Sequence, residues 1–282
     1  MPILAENRYG KSRVRVVRVN RQSPVHEFQE WSVEVLLQGD FETCFSHGDN
    51  SKILPTDTMK NTVYSLARKS SATCMEEFAK ELIDFLLTNN PQVSAAEVGV
   101  HEKSWQHLIT NGAPHPSTFV QAGSEVQTTH VTRQLDKQHR VQSGLADLVI
   151  MKTSDSAFEG YIHDSLTTLP ETSDRLFGTS LRANWIYSSP ELAFHRIRKE
   201  IRDSLLSTFA AHQSKSVQHT LYAMAESALA AAPQISEVTL AMPNKHCFLV
   251  DLARFGQDNP NHIFVPTDEP HGSIEARVCR GN

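Results

Sequence analysis

The chain has 282 residues and a mass of 31.6 kDa, with 39% hydrophobic and 21% charged residues. That composition excludes a disordered chain and allows one large domain or two of ordinary size. Lys and Arg number 27 against 32 Asp and Glu, and a formal charge of -5 disfavours nucleic acid as a partner. No apolar run reaches the length of a membrane span: Leu145 to Met151 is short and contains Asp147. Cys44, Cys74, Cys247 and Cys279 lie far apart, form no C-x-x-C pair, and read as reduced thiols. The amino terminus lacks a signal-peptide pattern and the carboxyl terminus, ending at Asn282, is not Ser-Lys-Leu, so the expected location is the cytoplasm.

Arg13 to Val19 is rich in β-branched residues and predicts a strand. Its apolar parity switches between Val16 and Val17, which predicts a bulge there or cover on both faces. Trp31, Val33, Val35 and Leu37 alternate with polar residues, with one exception at Leu36, and predict a half-buried strand. Pro55 to Lys69 predicts a helix with Met59, Val63 and Leu66 inward. Thr73 and Glu76 have capping-box spacing, and the next helix turns Met75, Phe78, Ala79, Leu82 and Leu86 to one face before Asn90-Pro91 ends it. Extended stretches follow around Ala95 to Gln106 and Thr118 to Thr132.

A second pass then begins. Val141 to Thr153 and Ala183 to Ser188 predict strands. Ser189 with Pro190 predicts a helix start, with Phe194, Ile197, Ile201 and Leu205 inward. Val217, Leu221, Met224 and Ala228 predict a second helix, ended by Pro233. Val238, Leu240 and Met242 then alternate in a strand that His246, Phe248, Val250 and Leu252 continue past Pro243. Extended pieces near Ile263 to Pro266 and Ile274 to Val278 complete the chain. The order is two strands, two helices and two strands, run twice. It predicts an α+β protein with units at 1–136 and 137–282, divided in the polar stretch Arg133 to Arg140. Antiparallel sheets of this kind leave open edges, so an oligomer is expected.

Several chemistries are set aside by what is missing. No two glycines sit two apart, so neither a dinucleotide fingerprint nor a Walker loop is present, and there is no G-x-S-x-G elbow. The fourteen histidines share no compact metal spacing, the nearest pair being His101 and His107, so no metal site is expected. Arg13, Arg15, Arg18 and Arg21 form the densest positive patch and read as a solvated strand face. Three polar segments stand out. Thr56-Asp57-Thr58 opens a helix and reads either as an ordinary cap or as an anion site. Asn244 and His246 share one face of a strand, where a satisfied buried histidine is the plainer reading. Lys11, after Tyr9-Gly10, is a solvated lysine unless something faces it.

Taken together these segments resemble the urate oxidase (uricase) family. The likeness rests on Tyr9-Gly10-Lys11, on Thr56-Asp57-Thr58 with Lys60 to Tyr64, and on Thr167-Thr168-Leu169 with Asp174-Arg175. Pro243-Asn244-Lys245-His246 with Phe248 to Leu252, and Phe255 to Asn261, complete it in family order. The resemblance implies the tunnelling fold, two ββααββ units per chain, assembled as a homotetramer of two stacked barrels around a tunnel. It implies cofactor-independent oxidation of urate by dioxygen to 5-hydroxyisourate and hydrogen peroxide. Lys11 and Thr56 would form a proton relay completed by His246, Arg175 and Gln218 would grip urate, and Phe158 would stack on it. The backbone of Asp57 and Val217 would complete recognition, and Asn244, with Thr56, would face dioxygen. The family places the site between subunits, with Lys11, Thr56, Asp57 and His246 from one chain and Phe158, Arg175, Val217, Gln218 and Asn244 from its neighbour. These residue types suit a planar anion: arginine offers a rigid two-pronged donor and phenylalanine an offset stacking face. Lysine accepts a proton only when neutral, and threonine passes one on without ionising. One departure is Leu54-Pro55, where the family more often has small or β-branched residues. Two other readings are a different tunnelling-fold enzyme acting on a pterin or purine, which would need metal ligands, and a purine-binding protein lacking the relay.

Overall fold

The computed structural model describes residues 2–281, so Met1 and Asn282, which bear on the reading of the two termini, lie outside the described residues. Two compact units are present. The first comprises residues 1–144 and 186–196, and the second 145–185 and 197–282.

The first unit begins with β1 (Tyr9–Asn20) and β2 (Glu27–Gly39), followed by α1 (Glu42–His47), α2 (Thr56–Lys69) and α3 (Met75–Asn89). Two long strands, β3 (Val93–Thr110) and β4 (Ala113–Gln134), complete it. The strands run antiparallel in the order β1-β2-β3-β4. Alternation decides the buried face: Trp31, Val33, Val35, Leu37, Val98, Val100 and Val131 are all buried. Against them lie Met75, Phe78, Leu82, Ile83 and Leu86 of α3, with the Trp31 and Phe78 rings 5.0 Å apart. Burying each such side chain contributes about 1.5–3 kcal/mol, so this layer holds the unit together.

The second unit holds the end of β5 (Arg140–Lys152), most of β6 (Phe177–Tyr187), α4 (Phe194–Ala211), α5 (Val217–Ala231) and β7 (Ile235–Ala241). Then come β8 (Asn244–Leu249), a short 3-10 turn at Ala253–Phe255, β9 (Phe264–Gly272) and β10 (Glu275–Cys279). The order is β5-β6-β7-β10, with β8 set aside against β6 and β9. Its core joins Phe177, Leu181, Ala183 and Trp185 of β6 to Ile201, Leu205 and Phe209 of α4 and to Leu221, Met224 and Ala228 of α5. The α+β class and the repeated strand and helix units expected from the sequence are present.

Several local expectations are corrected. The bulge in β1 lies between Lys11 and Val14, where Arg13 takes a φ of 57°, and Val17 is simply exposed. Glu77, not Glu76, accepts from the backbone of Thr73; Glu76 is buried instead and takes a hydrogen bond from Ser143. The helix expected from Ser189-Pro190 starts at Phe194, whose N–H donates to the Leu192 carbonyl, while the Pro190 carbonyl accepts from the ammonium of Lys80 at 2.6 Å. The strand after Pro243 is a new one: proline has no N–H to extend the β7 ladder, and β8 pairs Asn244 with Thr179 of β6. Arg18 is not a solvated member of a positive face, since it caps the Ser70 and Ala72 carbonyls and lies 5.0 Å from the Trp31 ring. The extended stretches β3 and β4 run on into a hairpin closed by Asn111 and Gly112, whose φ angles of 52° and 78° are those of a tight two-residue turn.

Candidate active site

The first group of polar residues is built on β1 and the start of α2. Gly10 is pressed against β2: a Cβ there would fall 1.7 Å from the Val35 carbonyl oxygen, so only glycine fits. On either side, Tyr9 and Lys11 share one face of the strand. The Tyr9 hydroxyl donates to the Leu54 carbonyl at 3.1 Å and accepts from the Leu54 N–H at 2.8 Å. Its ring meets Phe41 edge-on with centroids 4.8 Å apart. The segment that leads into α2 is thus pinned to the strand that carries Lys11.

Pro55 supplies the extended residue before the helix, with φ −57° and ψ 138°, and Thr56 is the first helical residue. The departure at Leu54-Pro55 therefore fixes the helix start, and Leu54 is the residue the tyrosine holds. No side chain caps α2, so its first amides remain free to donate, and the helix dipole favours an anion there. Among the described residues the Thr56 hydroxyl has no hydrogen-bond partner, while Thr56 and Lys11 are both partly exposed. Asp57 is exposed and its carboxyl sits below the usual range, first through its hydrogen bond from Lys60 and also through the charge of Lys11. Lys11 sits on the strand that the Tyr9 hydroxyl ties to Leu54, two residues before Thr56.

The second group lies in the second unit, where three irregular segments converge. Ser156 bridges to Ser214, and Ala157 N–H donates to the Ser214 carbonyl at 2.7 Å. Phe158 and Thr172 exchange two backbone hydrogen bonds of 2.8 and 3.1 Å. Asp174 accepts from the Ser156 N–H at 3.1 Å, which ties the residue before Arg175 to the residues before Phe158. Two residues beyond Ser214, the Ser216 side chain caps α5 by accepting from His219 N–H, and Val217 and Gln218 form the first turn, one buried and one exposed. Arg175 lies with its guanidinium carbon 5.1 Å from the Phe158 ring centroid.

Arg175 is the most informative residue of this group. It is half-buried, its Nε is shielded from solvent, and that atom has no hydrogen-bond partner among the described residues. Burial pulls its guanidinium below the usual range, because removing water disfavours the charged form. An anion laid against it would supply the missing partner. Phe158, partly exposed, offers a flat apolar surface beside that charge.

Asn244 and His246 lie on β8. Asn244 pairs with Thr179 of β6 and Gly272 of β9, and His246 with Thr267 of β9, both partly exposed. His246 stacks on Phe248 with centroids 5.9 Å apart. It is therefore not the buried, satisfied histidine of the plainer reading. Lys11, Thr56 and Asp57 belong to the first unit, and Phe158, Arg175, Val217, Gln218, Asn244 and His246 to the second. Among the described residues no cluster of three or more His, Cys, Asp or Glu side chains is arranged to hold a metal ion.

The sequence alone assigned no role to Tyr9, Gly10 or Asp174. A glycine just ahead of the β-branched run was the available signal for the first two, since a glycine at a strand marks close backbone approach. The carboxylate of Asp174 had none, because its partner lies eighteen residues away in sequence on an irregular segment.

Comparison with known proteins bears directly on this arrangement. The uricase family model matches residues 7–132 and 141–275. The uricase of Dictyostelium discoideum is 38% identical across 100% of this chain and 99% of its own length. That of Arthrobacter globiformis is 37% identical across 99% of this chain and 90% of its own length. The crystal structure of the Arthrobacter globiformis uricase superposes with a TM-score of 0.94, covering 99% of this chain and 96% of that one. A urate oxidase structure from Bacillus sp. TB-90, at 24% identity and a TM-score of 0.84, shows the same fold across 97% of this chain and 98% of its own. With the matched segments spanning both units, this chain belongs to the uricase family.

Proposed function

We propose that this chain catalyses the reaction of urate, dioxygen and water to 5-hydroxyisourate and hydrogen peroxide, a step of urate degradation, with no metal or organic cofactor. Within a chain of this family, the observation that carries the reading is the half-buried Arg175 beside the Phe158 ring, its Nε without a hydrogen-bond partner among the described residues. A flat surface next to a donor fork suits a planar anion with paired acceptors. Arg175 and Gln218 grip urate through paired hydrogen bonds, Phe158 stacks on its ring, and the backbone N–H groups of Asp57 and Val217 complete recognition. Lys11, Thr56 and His246 move protons, and Thr56 and Asn244 face dioxygen. Urate stripped of a second proton is electron-rich enough to reduce dioxygen directly, so the protein's part is to bind, orient and deprotonate.

The active assembly is a homotetramer of stacked barrels, each chain contributing two tandem ββααββ units, 1–136 and 137–282. The first group of residues, with His246, meets the second group of a neighbouring chain. In support, β1 ends its strand order with one edge unpaired, and Ile162 and Leu166 are 91% and 85% exposed. The four free thiols suit the cytoplasm, which fractionation of cells expressing the full-length protein checks. The function is tested by following urate absorbance and dioxygen uptake with chelator present. Steady consumption with peroxide release is expected. Activity lost on exhaustive chelation and restored by one metal overturns the cofactor-free reading, and an active monomer in sedimentation at assay concentration overturns the shared site.

A further inference from the structure

Phe158 does not stand alone. Tyr161 lies nearly parallel to it, with ring centroids 4.6 Å apart and planes 13° apart. His163 continues the column at 4.7 Å and 20°. The loop that carries these three rings is closed at its base by the paired Phe158 and Thr172 backbone bonds. Inside it, the Tyr161 hydroxyl donates to the Leu169 carbonyl at 2.5 Å. Glu171 accepts from the Gly160 N–H at 3.0 Å and faces the His163 ring at 3.3 Å. Every tier of the column is therefore tied back to the returning segment of its own loop. These bonds hold the column together, and the Phe158 ring is its first tier.

We propose that Tyr161 is a positioning residue for the Phe158 platform: it occupies one face of the ring and holds the ring's orientation for a planar ligand that meets the ring beside Arg175. The proposal rests on the urate reading above. A phenyl ring stacked on one side cannot turn about its Cα–Cβ bond without losing that overlap, so the platform is ordered before ligand arrives. Preordering lowers the entropy lost on binding, which appears as affinity. Arg175, with its guanidinium carbon 5.1 Å from the same ring, stays within reach of a planar anion laid on it. The column adds no acid or base to the reaction, so its effect falls on binding and leaves the proton relay alone.

The experiment compares wild type with Tyr161→Phe and Tyr161→Leu. It measures KM and kcat for urate, the Kd of a non-reactive purine analogue, and Tm. An offset aromatic pair corresponds to roughly a two- to tenfold change in equilibrium constant. Tyr161→Leu should therefore raise analogue Kd and KM by about that factor, with kcat changed less than about twofold. Tyr161→Phe keeps the stack and should restore both to within about twofold of wild type. Unchanged Kd in Tyr161→Leu overturns the proposal. So does an equal loss in Tyr161→Phe, which would assign the effect to the hydroxyl bond with Leu169. If Tyr161→Leu fails to fold, Tyr161→Met, which also lacks a flat ring, takes its place with the same expected rise. Wild type that neither binds the analogue nor consumes urate would instead sink the urate reading, before any variant is compared.

Discussion

In the first unit, Lys11 and Thr56 sit on regular elements, a strand and the opening turn of a helix, joined by the Tyr9 hydroxyl at Leu54. In the second, Phe158 and Arg175 sit between β5 and β6 outside any strand or helix, and backbone bridges to Thr172 and Ser214 hold them. The difference matches the role proposed for each region. Proton transfer needs groups held in a fixed relation to one another, and a strand pinned to the segment before a helix limits their degrees of freedom. Gripping a flat anion needs a surface and a fork converging from several directions, which a single straight element does not offer.

The comparison is broken most forcefully at the relay. Thr56→Ala and Lys11→Met should each lower kcat by roughly 10²–10⁴-fold while analogue Kd changes little. The double variant should be little worse than either single one, since residues that act as a unit are not additive. Multiplicative losses in the double variant would show the two working independently, and the relay would have to be dropped.

Arg175→Ala should come next, and on the other axis. It removes a charged, part-buried contact worth about 1.5–3 kcal/mol, so analogue Kd should rise by roughly ten- to a hundredfold or somewhat more. A variant that loses turnover while its Kd stays put would place Arg175 in the chemistry and dissolve the division between the two regions.

Tyr9→Phe sharpens the comparison within the first unit. The ring and its contact with Phe41 remain, but both hydrogen bonds to Leu54 are lost. Stability should fall by about 1–2 kcal/mol, read as a lower denaturant midpoint with an unchanged slope. Turnover should fall less than in Thr56→Ala, and analogue binding should hold. Full wild-type turnover would show that the clamp is structural only.

Asp57→Asn should have the smallest effect. Its side chain is exposed and paired with Lys60, and the group proposed to meet urate is its backbone N–H. Exposed ion pairs contribute little, so steady-state rates should stay within about threefold of wild type. A loss as large as that of Thr56→Ala would move the carboxylate itself into the mechanism.

Much of the framework was legible before any coordinates. Period-two alternation put Trp31, Val33, Val35 and Leu37 on one buried face, and the 3.6-residue period did the same for Phe78, Leu82 and Leu86. These are local signals, because burial of one face repeats along a single element. The order of strands and helices followed from them, and the candidate residues were named from motifs that recur in a family. What only the tertiary structure decided were partners distant in sequence. Lys80 captures the Pro190 carbonyl, Asn244 leaves the β7 line to join Thr179, and Tyr9 reaches Leu54. Each joins segments 45 or more residues apart. No periodicity announces such a bond, since its energy depends on which groups the fold has left without a partner. The same holds for Arg175: its sequence neighbours say only that an arginine is present, and the fold makes it a half-buried cation beside an aromatic face, its Nε without a hydrogen-bond partner among the described residues.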